Sequence, residues 1–109
     1  MTNDAKLSTS ANKGFAITFA NGNTVSVQWG PTNYCEARYK ASVTAPMIRA
    51  VWSSKTAEVA AWNSEGDMHV FQDGGQVDGW LTPDEVSEFI LFVATNELTT
   101  TLPLSEEEE

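Results

Sequence analysis

Between residues 14 and 29 the large apolar side chains fall on every second position. Phe15, Ile17 and Phe19 alternate with Ala16, Thr18 and Ala20, and Val25, Val27 and Trp29 alternate with Thr24, Ser26 and Gln28. That period of two predicts a pair of half-buried strands. The segment between them, Asn21-Gly22-Asn23, contains the dipeptide most characteristic of a two-residue hairpin turn. A two-residue Asn21-Gly22 loop, however, would set Phe19 opposite Thr24 and leave every large apolar side chain beside a polar one. A three-residue loop, Asn21 to Asn23, pairs Phe19 with Val25, Ile17 with Val27 and Phe15 with Trp29, and all six then share one face. Exposing one strand's three apolar side chains costs about 1.5–3 kcal/mol each, so packing outweighs the turn preference. A bulge within either strand is the alternative that would retain the two-residue turn.

Further along, residues 30–50 show no sustained period; Gly30-Pro31 ends the strand, and a short strand is expected around residues 50–53. Residues 56–62 and 68–72 flank the turn cluster Asn63-Ser64-Glu65-Gly66-Asp67. A five-residue loop pairs Trp62 with Met68, Ala60 with Val70 and Val59 with Phe71. Both faces are then partly apolar, as in strands covered on two sides. The glycine-rich stretch 73–79 reads as a loop. The clearest helix starts after Leu81: Thr82 is the N-cap, Pro83 occupies the first helical position, Glu85 completes a capping box, and Leu81 and Val86 form a hydrophobic staple. Val86, Phe89, Ile90 and Val93 follow the helical stripe, and the helix should stop near residues 95–97. Leu91 and Phe92 fall outside the stripe, which leaves two readings: a helix covered on more than one side, or an interface with a second copy of the chain.

Residues 1–13 are polar and without periodicity, and are expected as a flexible arm. Residues 98–109, interrupted by Pro103 and ending in four glutamates, are expected as a disordered acidic tail. The part between, 14–97, is expected as one α+β domain. Its antiparallel sheet of about four strands should be covered on its apolar face by a single C-terminal helix.

Charge is distributed unevenly. The 109-residue chain has a net charge of -9. Arg38, Lys40, Arg49 and Lys55 stand together without an acid between residues 38 and 57, whereas residues 58–109 hold thirteen acids and no Lys or Arg. Direct binding of DNA or RNA is disfavoured, since the overall field repels a polyanion. No apolar run reaches the length of a membrane span. The single cysteine permits no internal disulfide, which suits a reducing cytoplasm.

Little in the chain carries catalytic chemistry. His69 is the only histidine and has no second ligand at metal spacing, so no metal or cofactor is expected. Cys35 reads either as a thiol activated by Arg38 or as a buried small hydrophobe. Two surfaces remain as candidates for binding. The first is the basic, aromatic set Tyr34, Arg38, Tyr39, Lys40, Arg49, Trp52 and Lys55, whose cations attract phosphate and whose rings stack on bases, as a nucleotide requires. The second is the acidic set Asp73, Asp78, Asp84, Glu85 and Glu88, which can imitate a phosphate backbone toward a protein that handles nucleic acid. Both sets also have a plain structural reading: the cations offset the acids within one domain, and Glu85 and Asp84 serve the helix N-terminus.

The combination "TVSVQWG", "NYC" and "GWLTPDEV", within residues 14–94, resembles small accessory proteins encoded by tailed bacteriophages. The resemblance supplies no active site. It implies a protein made in the cytoplasm of a bacterial host. The expected function is therefore non-catalytic: binding and inhibition of a host defence or nucleic-acid-handling factor through the acidic surface. Sequestration of a nucleotide signal by the basic loop is the alternative.

Overall fold

A computed structural model describes residues 5–9, 13–30, 33–36 and 53–101. Five strands, β1 (Lys6–Thr9), β2 (Gly14–Thr18), β3 (Thr24–Gln28), β4 (Ala57–Trp62) and β5 (Asp78–Leu81), form one antiparallel sheet in the order β1-β2-β3-β4-β5. One helix, α1 (Pro83–Thr95), packs across β3, β4 and β5. The α+β class and the roofing helix are as the sequence predicts, with five strands in place of about four.

The odd-numbered positions of β2 and β3 do share a face, and α1 covers that face. Val25, Val27, Ala57, Val59 and Ala61 form the core with Val86 and Val93 of the helix, and Phe15, Ile17 and Trp29 pack around them. Phe15 and Trp29 meet edge to face at 6.0 Å on the same side of the sheet. The hairpin register differs in one respect. The loop has three residues, but they are Ala20-Asn21-Gly22: the Phe19 N–H donates to the Asn23 carbonyl at 2.8 Å, and Ile17 and Phe15 pair with Val25 and Val27. Gly22 takes the left-handed position (φ 93°), where a glycine meets no Cβ penalty. The shift moves the pairing by two residues in all, so it leaves the faces unchanged.

Four other expectations are revised. Residues 6–9, expected within the arm, pair with β2 as the exposed edge strand β1. Residues 68–72 do not continue as a strand after the Trp62–Met68 bridge. The Val70 N–H turns to the Thr99 carbonyl (2.7 Å) and the Phe71 N–H to the Gly75 carbonyl (2.8 Å). Their place beside β4 is taken by β5, from the stretch read as a loop. Residues 98 and 99, expected in the tail, are docked: Leu98 packs on the core, and the Thr99 N–H donates to His69 Nδ1 at 3.1 Å. Residues 50–52 of the strand expected around 50–53, and residues 102–109, lie outside the described residues.

The helix start is as expected in detail. Thr82 Oγ1 accepts from the Glu85 N–H (3.2 Å), and Glu85 Oε1 accepts from the Thr82 N–H (2.9 Å).

Candidate interaction site

Tyr34 and Trp80 form a tilted aromatic pair on the surface, with ring centroids 5.5 Å apart. The backbone joins them as well, because the Trp80 N–H donates to the Tyr34 carbonyl at 2.8 Å. The approach is close enough to require glycine at position 79, where a Cβ would lie 2.7 Å from the Tyr34 oxygen and would overlap the Tyr34 Cβ.

A shift in the β4–β5 ladder sets the pair up. Ala57 pairs with Leu81 and Val59 with Asp78, so Gly79 and Trp80 together oppose Glu58. A bulge of this kind bends the strand and re-aims a side chain. Trp80 thereby takes φ 56°, the one left-handed non-glycine residue among the described residues, and the residue is 55 % exposed. A left-handed backbone costs an ordinary side chain about 1–2 kcal/mol. A bulky ring held there and still turned to solvent is a conformation that packing alone does not reward.

Of the basic, aromatic set, Tyr34 belongs to this pair and Lys55 is exposed nearby in the chain path, where its N–H donates to Glu36 Oε1 (3.3 Å). The other five, Arg38, Tyr39, Lys40, Arg49 and Trp52, lie outside the described residues. The acidic set is exposed throughout. Asp73 accepts the Gly75 N–H at 2.8 Å and so shapes its own turn, Glu85 is occupied by the capping box, and Asp84 sits in the first turn of α1. Asp78 stands on β5, two residues before Trp80. The two residues outside the helical stripe separate: Leu91 is 65 % exposed, while Phe92 packs on the core and against His69.

Trp80 was not singled out in the sequence. Its signal is the Gly79-Trp80 dipeptide at the end of a glycine-rich stretch, and nothing local announces a bulge whose partner strand ends at Trp62, seventeen residues before Gly79.

The remaining reactive groups are enclosed. The Cys35 thiol is 1 % exposed and donates to the Gly30 carbonyl (3.5 Å), the buried of its two readings. His69 is buried between Phe71, Phe89 and Phe92, with ring centroids 4.9, 5.9 and 5.5 Å away. Burial lowers its pKa below the ordinary imidazole value, and the Thr99 N–H on Nδ1 selects the neutral ring protonated at Nε2. Among the described residues no group of three or more His, Cys, Asp or Glu could hold a metal ion, and no helix is long and apolar enough to cross a membrane.

Comparison of the chain with protein-family models, with curated proteins and with solved structures gives no match. The functional reading therefore rests on the residues themselves.

Proposed function

We propose that the protein is a non-catalytic phage accessory protein that binds and inhibits a host protein, and that Tyr34 and Trp80 are the centre of its contact surface. The observation carrying this reading is Trp80: a strained, half-exposed residue whose ring is supported by a second one. Tryptophan and tyrosine dominate the energetics of protein–protein contacts, because a rigid ring covers much area at little entropic cost. Asp78 stands two residues before it on β5, and Asp84 and Glu88 are exposed on the helix that follows. A partner with a basic face, such as a host protein that itself binds nucleic acid, complements that charge. The resemblance to tailed-phage proteins supports a bacterial host as the source of the partner.

The test is capture of host proteins by the wild-type chain, by Trp80→Ala and by a variant carrying Asp78→Asn, Asp84→Asn and Glu88→Gln. A basic host protein retained by the wild type, and inhibited by it when purified, should be lost with Trp80→Ala. It should also be weakened by the neutralised variant more at low salt than at high salt. Equal capture by all three proteins overturns the proposal.

A further inference from the structure

The face of the sheet turned away from α1 is built differently from the core face. Its residues at the turn end form one row across four strands: Lys6 on β1, Thr18 on β2, Thr24 on β3 and Trp62 on β4, each the register partner of the next. The neighbouring row is small throughout: Ser8, Ala16, Ser26 and Ala60. Large or long side chains at both ends of the first row, with the small Ser8 and Ala16 of the second beside it, leave a trough. It has a volume of about 840 Å³, within the range of small-molecule sites. The β2–β3 turn and the turn after β4 close one end. There Gly22 lies so near Ser64 that a Cβ would come within 3.0 Å of the Ser64 Cβ.

The chemistry of the lining is selective. Among the described lining residues Lys6 is the only charged one, although the chain as a whole is strongly acidic. Trp62 offers an aromatic face three strands away, about 14 Å across the sheet. Between them Thr18 and Thr24 hydrogen-bond to each other through their hydroxyls at 2.8 Å. Thr24 is 8 % exposed, so the half-buried Thr18 is the member of the pair that presents its hydroxyl oxygen to a ligand.

We propose that this trough binds a nucleoside monophosphate, with the base stacked on Trp62, the sugar over the Thr18–Thr24 pair and the phosphate at Lys6. The assignment follows from the order of groups along the row: an aromatic platform, hydroxyls, then a cation. An uncharged aromatic ligand leaves Lys6 unused, and a bare anion leaves Trp62 unused. The site is separate from the Tyr34–Trp80 pair, and its occupation does not depend on the partner proposed there.

Calorimetric titration of the full chain with the four common ribonucleoside 5′-monophosphates, against the corresponding nucleosides and inorganic phosphate, tests it. At least one monophosphate should bind saturably, and more tightly than either its nucleoside or phosphate. Trp62→Ala should weaken binding about fivefold to a hundredfold, the range for loss of one stacked base. Lys6→Glu, on an exposed edge strand where the fold tolerates it, should abolish the preference for the monophosphate over the nucleoside. Absence of saturable binding to all four overturns the proposal. So does a monophosphate affinity unchanged by Lys6→Glu, which decides the matter even if Trp62→Ala does not fold.

Discussion

The side-chain amide of Asn23, on the β2–β3 hairpin, donates to the main-chain carbonyl of Val93 in the last turn of α1 at 3.1 Å. The same amide reaches the Asn96 carbonyl at 2.8 Å. Asn21 adds donations to the Val93 and Ala94 carbonyls (3.1 and 3.2 Å) and accepts the Asn23 N–H at 3.0 Å. The last turn of the helix contains no basic residue. Amides from a hairpin distant in sequence therefore take the place that Lys or Arg usually fills at the negative end of a helix. The Asn-Gly-Asn segment is thus more than a turn signal, because it also ties the sheet to the helix that roofs it.

Asn23 is 5 % exposed, and removing its amide takes one of two side-chain donors from the carbonyl of the buried Val93. Asn23→Ala should cost about 1–3 kcal/mol in denaturant unfolding. Asn23→Asp should cost more, since a carboxylate cannot donate and its charge opposes the helix terminus. Asn21→Ala, at an exposed position, should cost less than either. The reverse order would show that the contact contributes nothing to stability.

Thr82→Ala removes half of the capping box and should lower stability by about 1 kcal/mol. Glu85→Gln preserves the reciprocal bond to the Thr82 N–H and should lower it only by a few tenths, the loss of dipole complementarity. Thermal unfolding of the two variants side by side measures the difference.

His69 ties stability to pH. Its folded pKa lies below the unfolded value of 6.5, because burial among three phenylalanine rings disfavours the imidazolium. Its contribution is therefore fully present above pH 6.5. As the pH falls from 6.5 toward the lowered folded value, the unfolded chain binds a proton that the folded protein does not, and stability declines. Protonation at Nδ1 would also set two donors against each other at Thr99. His69→Asn keeps an acceptor near the Nδ1 position and removes the titration. Its stability should fall less steeply than the wild type's across this window, and parallel slopes would refute the assignment.

Replacing Trp80 should produce an unusual order. Trp80→Gly relieves a left-handed backbone worth about 1–2 kcal/mol. It gives up a ring contact worth about 0.5–1.5 kcal/mol. The two nearly cancel, so stability should stay within about 1 kcal/mol of the wild type. Trp80→Ala loses the contact and keeps the strain, and should be the less stable of the two. Chemical denaturation decides; an alanine variant more stable than the glycine variant would mean that the bulge is unstrained.

Adjacent helix residues should respond very differently. Phe92→Ala opens space beside His69 and the core and should cost about 3 kcal/mol. Leu91→Glu changes only an exposed position and should leave monomer stability unchanged. Light scattering on the wild type and on Leu91→Glu tests whether the exposed leucine joins two copies: a dimer that this substitution dissociates would place the interface at α1.

Much of the architecture was legible because it follows from short-range periodicity. Alternation in Phe15–Phe19 and Val25–Trp29 assigned the buried face, and it did so even though the pairing differs from the expected one by two residues. A side chain's face depends only on whether its position is odd or even. Thr82, Pro83 and Glu85 announced the helix start because capping is completed within three residues. The fate of residues 68–72 was not legible. His69 and Phe71 belong to an aromatic cluster completed by Phe89 and Phe92 on the helix, and a cross-strand pattern carries no trace of that competition. The candidate site was legible only in part, through Tyr34, since Trp80 owes its place to the bulge in the β4–β5 ladder.

By itself, then, the chain's own order of residues determined the strand faces, the capped helix and the placement of charge, all properties set by neighbours a few positions apart. Tertiary structure alone decided that Gly22, and not Asn23, takes the left-handed turn position, leaving Asn23 to cap the helix. It alone also recruited Asp78–Leu81 and Lys6–Thr9 as edge strands, docked Thr99 on His69 and lifted Trp80 onto Tyr34. Each of these depends on a backbone group finding its hydrogen-bond partner far along the chain. Such partners exist only after the sheet and helix have assembled.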